Sequence, residues 1–170
     1  MIKTKKYEYF SLLLIATLIG SMFLLAPPVK SATSSIVLAN PKPYQILQRK
    51  GDNTADITVR GTYTGDPGAI QARWRGGEWV VIDNSPQGGH FFGILTNQKA
   101  GQGTLEARFT SNNSIKTEAR FVGIGDVYVL AGGSNASGRG LNNQRYVSKN
   151  FKAAIFGNDY QWKDMKDPID

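Results

Sequence analysis

From about Ser35 to Val122 apolar and polar residues alternate with a period of two. In "ADITVRGTY" the residues Ala55, Ile57, Val59, Gly61 and Tyr63 share one face, while Asp56, Thr58, Arg60 and Thr62 share the other. "AIQARWR" sets Ile70, Ala72 and Trp74 against Gln71, Arg73 and Arg75, and "TLEARFT" sets Leu105, Ala107 and Phe109 against Glu106, Arg108 and Thr110. Successive side chains of a strand point to opposite faces, so this alternation predicts half-buried strands with one face in a core. Turn-forming groups separate the runs: "KGDN" at 50–53, "GDPG" at 65–68, "RGG" at 75–77, "NSPQGG" at 84–89, "AGQG" at 100–103 and "SNNS" at 111–114. About seven or eight short strands so spaced predict a mainly β chain built on an antiparallel β-sandwich. Trp74, Trp79, Phe91 and Phe92 are expected to serve its core.

The pattern changes near Gly123. "DVYVLA" (126–131) is continuously apolar after its first residue and is followed by glycines. Such a run predicts a strand buried on both faces, as in a parallel sheet. "FKAAIF" (151–156) fits a further strand or a helical turn. The chain therefore divides into residues 1–31, a β-region at 32–122, and a different segment at 123–170.

The first segment has its own logic. Lys3, Lys5 and Lys6 precede a nearly apolar run of 17 residues from Phe10 to Ala26, closed by Pro27 and Pro28. Val29 and Ser31 then supply small side chains at the −3 and −1 positions of a cut after Ser31. This is the layout of a secretory signal peptide, with an uncleaved N-terminal membrane anchor as the alternative. Either predicts an exported protein whose only membrane contact is this segment. No cysteine is present, which excludes disulfides and zinc–thiolate sites.

The chain carries a net charge of +7, and residues 1–31 account for +3 of it. Beyond them the basic residues, among them Arg60, Arg73, Arg75, Arg108, Arg120, Arg139 and Arg145, are scattered in sequence, with no dense stripe interleaved with aromatics. Nucleic acid is accordingly not an expected partner. The acidic residues are dispersed and there is one histidine, so neither a metal nor a cofactor is expected.

The chemistry concentrates in "VYVLAGGSNASGRG" (127–140). Gly133 and Gly138 have phosphate-loop spacing, but Arg139 and Gly140 stand where the lysine and hydroxyl residue belong. Gly132-Gly133-Ser134-Asn135-Ala136 approaches the G-x-S-x-G nucleophile elbow, with alanine at its last position. A third reading is a serine nucleophile on the loop that follows a buried strand. "GDVYVLAGGSNASGRG" (125–140) resembles the first block of SGNH-type carbohydrate esterases, the sialate O-acetylesterase and acetylxylan esterase group. The likeness covers the apolar run, Gly132, Ser134, Asn135, Gly138 and Arg139; Gly133 replaces the usual glutamine. The β-rich region, with "YQILQRK" (44–50) and "GTLEARF" (103–109), is similar to the accessory β-domain that often precedes this block.

The resemblance implies an α/β hydrolase domain beginning at residue 123, acting on acetylated carbohydrate. It makes Ser134 the catalytic nucleophile and its backbone N–H an oxyanion donor, on a loop with Gly133 and Asn135 and with Gly132 and Gly138 as turn formers. A serine hydroxyl needs a base to take its proton. The resemblance places that base, a histidine, in a D-x-x-H pattern that this sequence lacks. Its only histidine, His90, lies in the β-region and has Gln87 three positions earlier. Asn158, in "GND" (157–159), is read as part of a loop, with Tyr160 and Trp162 as packing aromatics. Residues 123–170 are too few for an independent hydrolase core. The expectation is thus an incomplete SGNH domain, inactive alone, with weak order after about Asn142 and the apolar run 127–131 exposed. The competing expectation is a non-catalytic exported β-sandwich that binds glycan or another surface partner, through an aromatic platform at Trp74, Trp79 or Tyr63.

Overall fold

The computed structural model describes residues 33–137, 139, 147, 149 and 153–167. The expected signal or anchor segment (1–31) and Gly138 lie outside the described residues. Ten strands and no helix are formed among those residues: β1 (Ser35–Asn40), β2 (Ile46–Gln48), β3 (Thr54–Thr64), β4 (Ile70–Trp74), β5 (Val80–Asp83), β6 (His90–Lys99), β7 (Gly101–Phe109), β8 (Lys116–Gly125), β9 (Ala154–Phe156) and β10 (Trp162–Asp164). The mainly β class is therefore established, and eight strands occupy the alternating region.

One sheet has the order β1-β3-β6 and is antiparallel throughout; the second runs β2-β8-β7-β4-β5; β9 and β10 form a separate hairpin. The second sheet departs from the expected all-antiparallel pattern. Its β2 runs parallel to β8, pairing Ile46 with Gly123 and Gln48 with Gly125. A two-residue hairpin can join only antiparallel neighbours. Here β2 reaches β8 from far along the chain, which local turn residues cannot reveal. The same pairing carries β8 through Gly125.

Alternation delivers the core as expected. Ala55, Ile57 and Val59 of β3 and Phe91 and Leu95 of β6 are buried. They form one cluster with Ile70, Ala72 and Trp74 of β4, Leu105, Ala107 and Phe109 of β7, and Ala119, Val122 and Ile124 of β8. The two sheets thus share one core, whose apolar area withdrawn from water is the main source of stability. The Trp74 indole N–H donates to the Lys99 carbonyl at 3.3 Å, satisfying its polar edge inside the core.

Two of the four aromatics expected in the core are elsewhere. Phe92 is 58% exposed, because it follows buried Phe91 on the same strand and the pleat turns it outward. Trp79 is only half-buried; it lies between β4 and β5 and folds over the outer face of the five-stranded sheet.

The segment after β8 is the larger departure. Residues 126–132 form no strand, and Tyr128 and Val129 are 80% and 91% exposed. The expected exposure of this apolar run is observed, but the expected buried strand is not. A strand needs a neighbour for its backbone N–H and C=O groups, and no described strand pairs with this segment. "FKAAIF" resolves toward strand, with β9 covering its last three residues. In the β9–β10 hairpin Asn158 sits in the turn, as expected for a loop residue. Phe156 contacts both Tyr160 (6.3 Å between ring centroids) and Trp162 (5.4 Å), although Tyr160 remains largely exposed.

Candidate functional site

The root of the glycine–serine segment is fixed to the five-stranded sheet. Arg49 grips Asp126 with two hydrogen bonds, Nε at 2.9 Å and a terminal nitrogen at 3.1 Å. The Val127 N–H donates to Gln48 Oε1 at 2.8 Å. The Arg49 guanidinium holds the Asp126 carboxyl below the usual aspartate range, chiefly by hydrogen bonding. Beyond Val127 the chain runs out to Ala131 without backbone pairing and then folds into a tight turn.

That turn is organised by the Ser134 backbone rather than by its side chain. The Ser134 carbonyl accepts from the N–H groups of Ser137 (3.2 Å) and Arg139 (3.1 Å) and from the Ser137 hydroxyl (2.8 Å). The Ala136 N–H donates to the Gly133 carbonyl at 2.9 Å. Gly132 is needed for space: a Cβ there would stand 2.8 Å from the Ala136 Cβ. Gly133 has open space around it, so neither steric crowding nor a positive φ requires glycine at that position.

Gly132, Gly133, Ser134 and Asn135 are all exposed. Ser134 Oγ makes no hydrogen bond among the described residues, and Ser134 does not have the positive φ of a strained turn. The structure thus brings the four expected loop residues into one turn and presents the hydroxyl to solvent. Among the described residues no histidine stands beside it: His90, the one histidine of the sequence, opens β6 in the other sheet, exposed, pairing across to Thr62. Among the described residues no group of three or more His, Cys, Asp or Glu could hold a metal.

A second cluster escapes sequence reasoning because only strand register assembles it. On the outer face of the five-stranded sheet, Gln71, Arg108 and Lys116 fall in one cross-strand row; Arg73, Glu106 and Glu118 fall in the next. Residues opposite one another in adjacent strands are side-chain neighbours. Arg73 Nε donates to Glu106 Oε2 at 2.6 Å, and Arg108 Nε to Gln71 Oε1 at 2.9 Å. The Trp79 ring caps both guanidinium groups, with its centroid 4.5 Å from Arg73 Cζ and 4.0 Å from Arg108 Cζ. These distances are well within cation–π range. The separate residues were visible on the polar face of each strand. Their convergence was not, because it depends on which strands become neighbours.

Hydrogen bonding from Arg73 holds the Glu106 carboxyl below its ordinary value near 4.5, with Lys116 and Arg108 adding to the effect through their charges. A depressed carboxylate pKa contributes stability that is present above the unfolded value and lost as pH falls through the folded one. The thermal midpoint of Glu106→Gln should therefore lie below that of the wild type near about pH 6, and the gap should close toward about pH 3. Melting curves across that range check it; a gap independent of pH would show that Glu106 acts without its charge.

Among the described residues no helix is long and apolar enough to cross a membrane. Comparison of the chain with protein-family models, with curated proteins and with solved structures returns no match.

Proposed function

We propose that this chain carries the nucleophile segment of an exported carbohydrate O-acetylesterase of the SGNH type, with Ser134 as the nucleophile, and is inactive alone because its sequence offers no catalytic histidine. The observation that carries the reading is the block 125–140, whose serine is held on a compact turn with an unengaged hydroxyl. In this chemistry Ser134 Oγ bonds to the acetyl carbonyl carbon while a base accepts the serine proton. The sugar oxygen leaves with that proton, and water then releases acetate from the acyl-serine. Backbone N–H groups of the turn, that of Ser134 among them, are the candidate donors to the oxyanion. The finer architecture goes with the reading: a β-sandwich, antiparallel apart from the β2–β8 pair, as accessory domain, with residues 123–170 as the hydrolase-type segment.

The base is the missing part. With no D-x-x-H in the sequence and no described histidine beside Ser134, the 170-residue chain is expected to hydrolyse an activated acetate ester no faster than background. Ser134→Ala should leave that background unchanged. Robust hydrolysis by the chain, abolished in Ser134→Ala, would show that another group serves as base. A coding sequence that runs past Asp170 into a D-x-x-H motif provides the positive test: its product should release acetate from acetylated sugars, and Ser134→Ala should abolish the release. Release that survives the substitution would overturn the assignment of Ser134.

A second reading, a non-catalytic glycan-binding β-domain, is favoured by Trp79. Of the three residues considered for an aromatic platform, Trp74 is buried in the core. Tyr63 is half-buried and spends its hydroxyl on the Pro86 carbonyl at 2.9 Å. Trp79 alone of the three lies on an outer sheet face, over charged side chains.

A further inference from the structure

We propose that the outer face of the five-stranded sheet, at Trp79, Arg108 and Lys116, binds a carboxylate-bearing polysaccharide. The inference rests on the glycan-binding reading and specifies its site and ligand class.

Charge comes first. Arg73, Arg108 and Lys116 act on a single carboxylate, Glu106. The neighbouring Glu118 is taken by Arg120 through an Nε–Oε1 contact of 2.5 Å. The face therefore carries an excess of positive charge, although the same cations are spread over 44 positions of sequence from Arg73 to Lys116. The excess is not locked into the fold. Arg73 is committed to Glu106, but Arg108 spends only its Nε on Gln71, and its two terminal nitrogens have no hydrogen-bond partner among the described residues. Lys116 stands directly across from Arg108 and is exposed. A planar guanidinium edge with two open donors matches a carboxylate, and an ammonium one strand away matches a second oxygen or the next anionic group.

The indole supplies the other half of the recognition. Trp79 is fixed against two cations rather than buried, so it is a rigid, half-exposed apolar surface beside the open donors. A sugar ring with an apolar face and an acidic substituent satisfies both parts at once. A simple anion uses only the cations, and a neutral sugar only the ring. The cationic row is short, and the described residues place one aromatic beside it, unlike a nucleic-acid surface, which stacks successive bases on several rings.

Binding of the purified full chain to an oligogalacturonide and to its fully methyl-esterified, neutral counterpart tests this, by calorimetry and by tryptophan fluorescence. The acidic form should bind at least about tenfold more tightly, as expected when a charge-assisted contact is lost with the carboxylate. Arg108→Gln, Lys116→Gln and Trp79→Ala should each weaken it about tenfold or more. Melting curves establish that each variant is folded. Lys116→Gln alters an exposed side chain and keeps the test decisive if the other two unfold. Equal binding of both forms, still sensitive to Trp79→Ala, would overturn the carboxylate assignment and leave the glycan reading standing. Absence of binding to either form would overturn both. A preference for sulfated dextran, or equally tight binding of single-stranded DNA, would replace the inference with a different anion or with general polyanion attraction.

Discussion

Phe109→Ala should destabilise the protein by about 3–5 kcal/mol, the usual cost of emptying a fully buried aromatic site. Phe109 ends β7 with no exposed surface and meets the Tyr63 ring edge-on, at 6.2 Å between centroids and 89° between planes. Its side chain belongs to the cluster shared by both sheets, so the cavity would open between them and not at a frayed end. Domains of this size are stable by about 5–15 kcal/mol, so the loss is a large part of the total. A fall in thermal midpoint on the order of 10 °C is expected, measured by circular dichroism in the β region. A fall of only a degree or two would mean that Tyr63 and the neighbouring β-branched residues collapse into the space, and that the sheets are less rigidly opposed than described.

Gly61→Ala should be comparably damaging for the opposite reason. Gly61 is buried in the middle of β3, between β1 and β6. A Cβ there would stand 2.0 Å from the Val37 carbonyl oxygen and 2.7 Å from two atoms of the Phe91 ring. The first of these is backbone and cannot rotate away, so β1 must shift and weaken its ladder with β3. The second belongs to a core side chain held by its neighbours. Overpacking of this kind costs about 1–3 kcal/mol even when only side chains must move, and here a strand must move as well. Urea titration should show a lower midpoint, and hydrogen exchange should show lost protection along β1 before β7. A neutral result would show that β1 is loosely held and that the three-stranded sheet tolerates a displaced edge.

The two predictions separate what alternation encodes from what packing adds. Phe109 could be placed in the core from sequence, because its period-two partners Leu105 and Ala107 are apolar and the intervening Glu106 and Arg108 are charged. Gly61 could be placed on the core face in the same way. That glycine is required there depends on the approach of the Val37 carbonyl, which comes from a strand more than twenty residues earlier. Phe92 and Trp79 show the limit in the other direction. Hydrophobicity alone marked both as core residues, yet the pleat turned Phe92 outward beside Phe91, and cross-strand register put two guanidinium groups beneath Trp79.

The candidate site divides similarly. The block around Ser134 was legible because glycines and a serine follow an apolar run, and the structure gathers Gly132, Gly133, Ser134 and Asn135 into one exposed turn. The run before it predicts a buried strand. Its composition fits one, but a strand exists only where another strand satisfies its backbone, and sequence composition does not supply that neighbour. The anchoring of its root by Arg49 joins residues 77 positions apart and follows from the parallel β2–β8 pair.

By itself the sequence determined the mainly β class, the inward face of β3, β4 and β7, the turns between strands and the position of the glycine turn that carries Ser134. These are local properties, written in a two-residue period and in residues that tolerate tight bends. Tertiary structure alone decided the parallel β2–β8 pair, the convergence of Arg73, Trp79 and Arg108 on one surface, and the lack of strand pairing at residues 127–131. Each of these depends on which distant strand lies alongside. Inter-strand hydrogen bonds between backbone groups common to all residues leave no imprint in a local pattern of side chains.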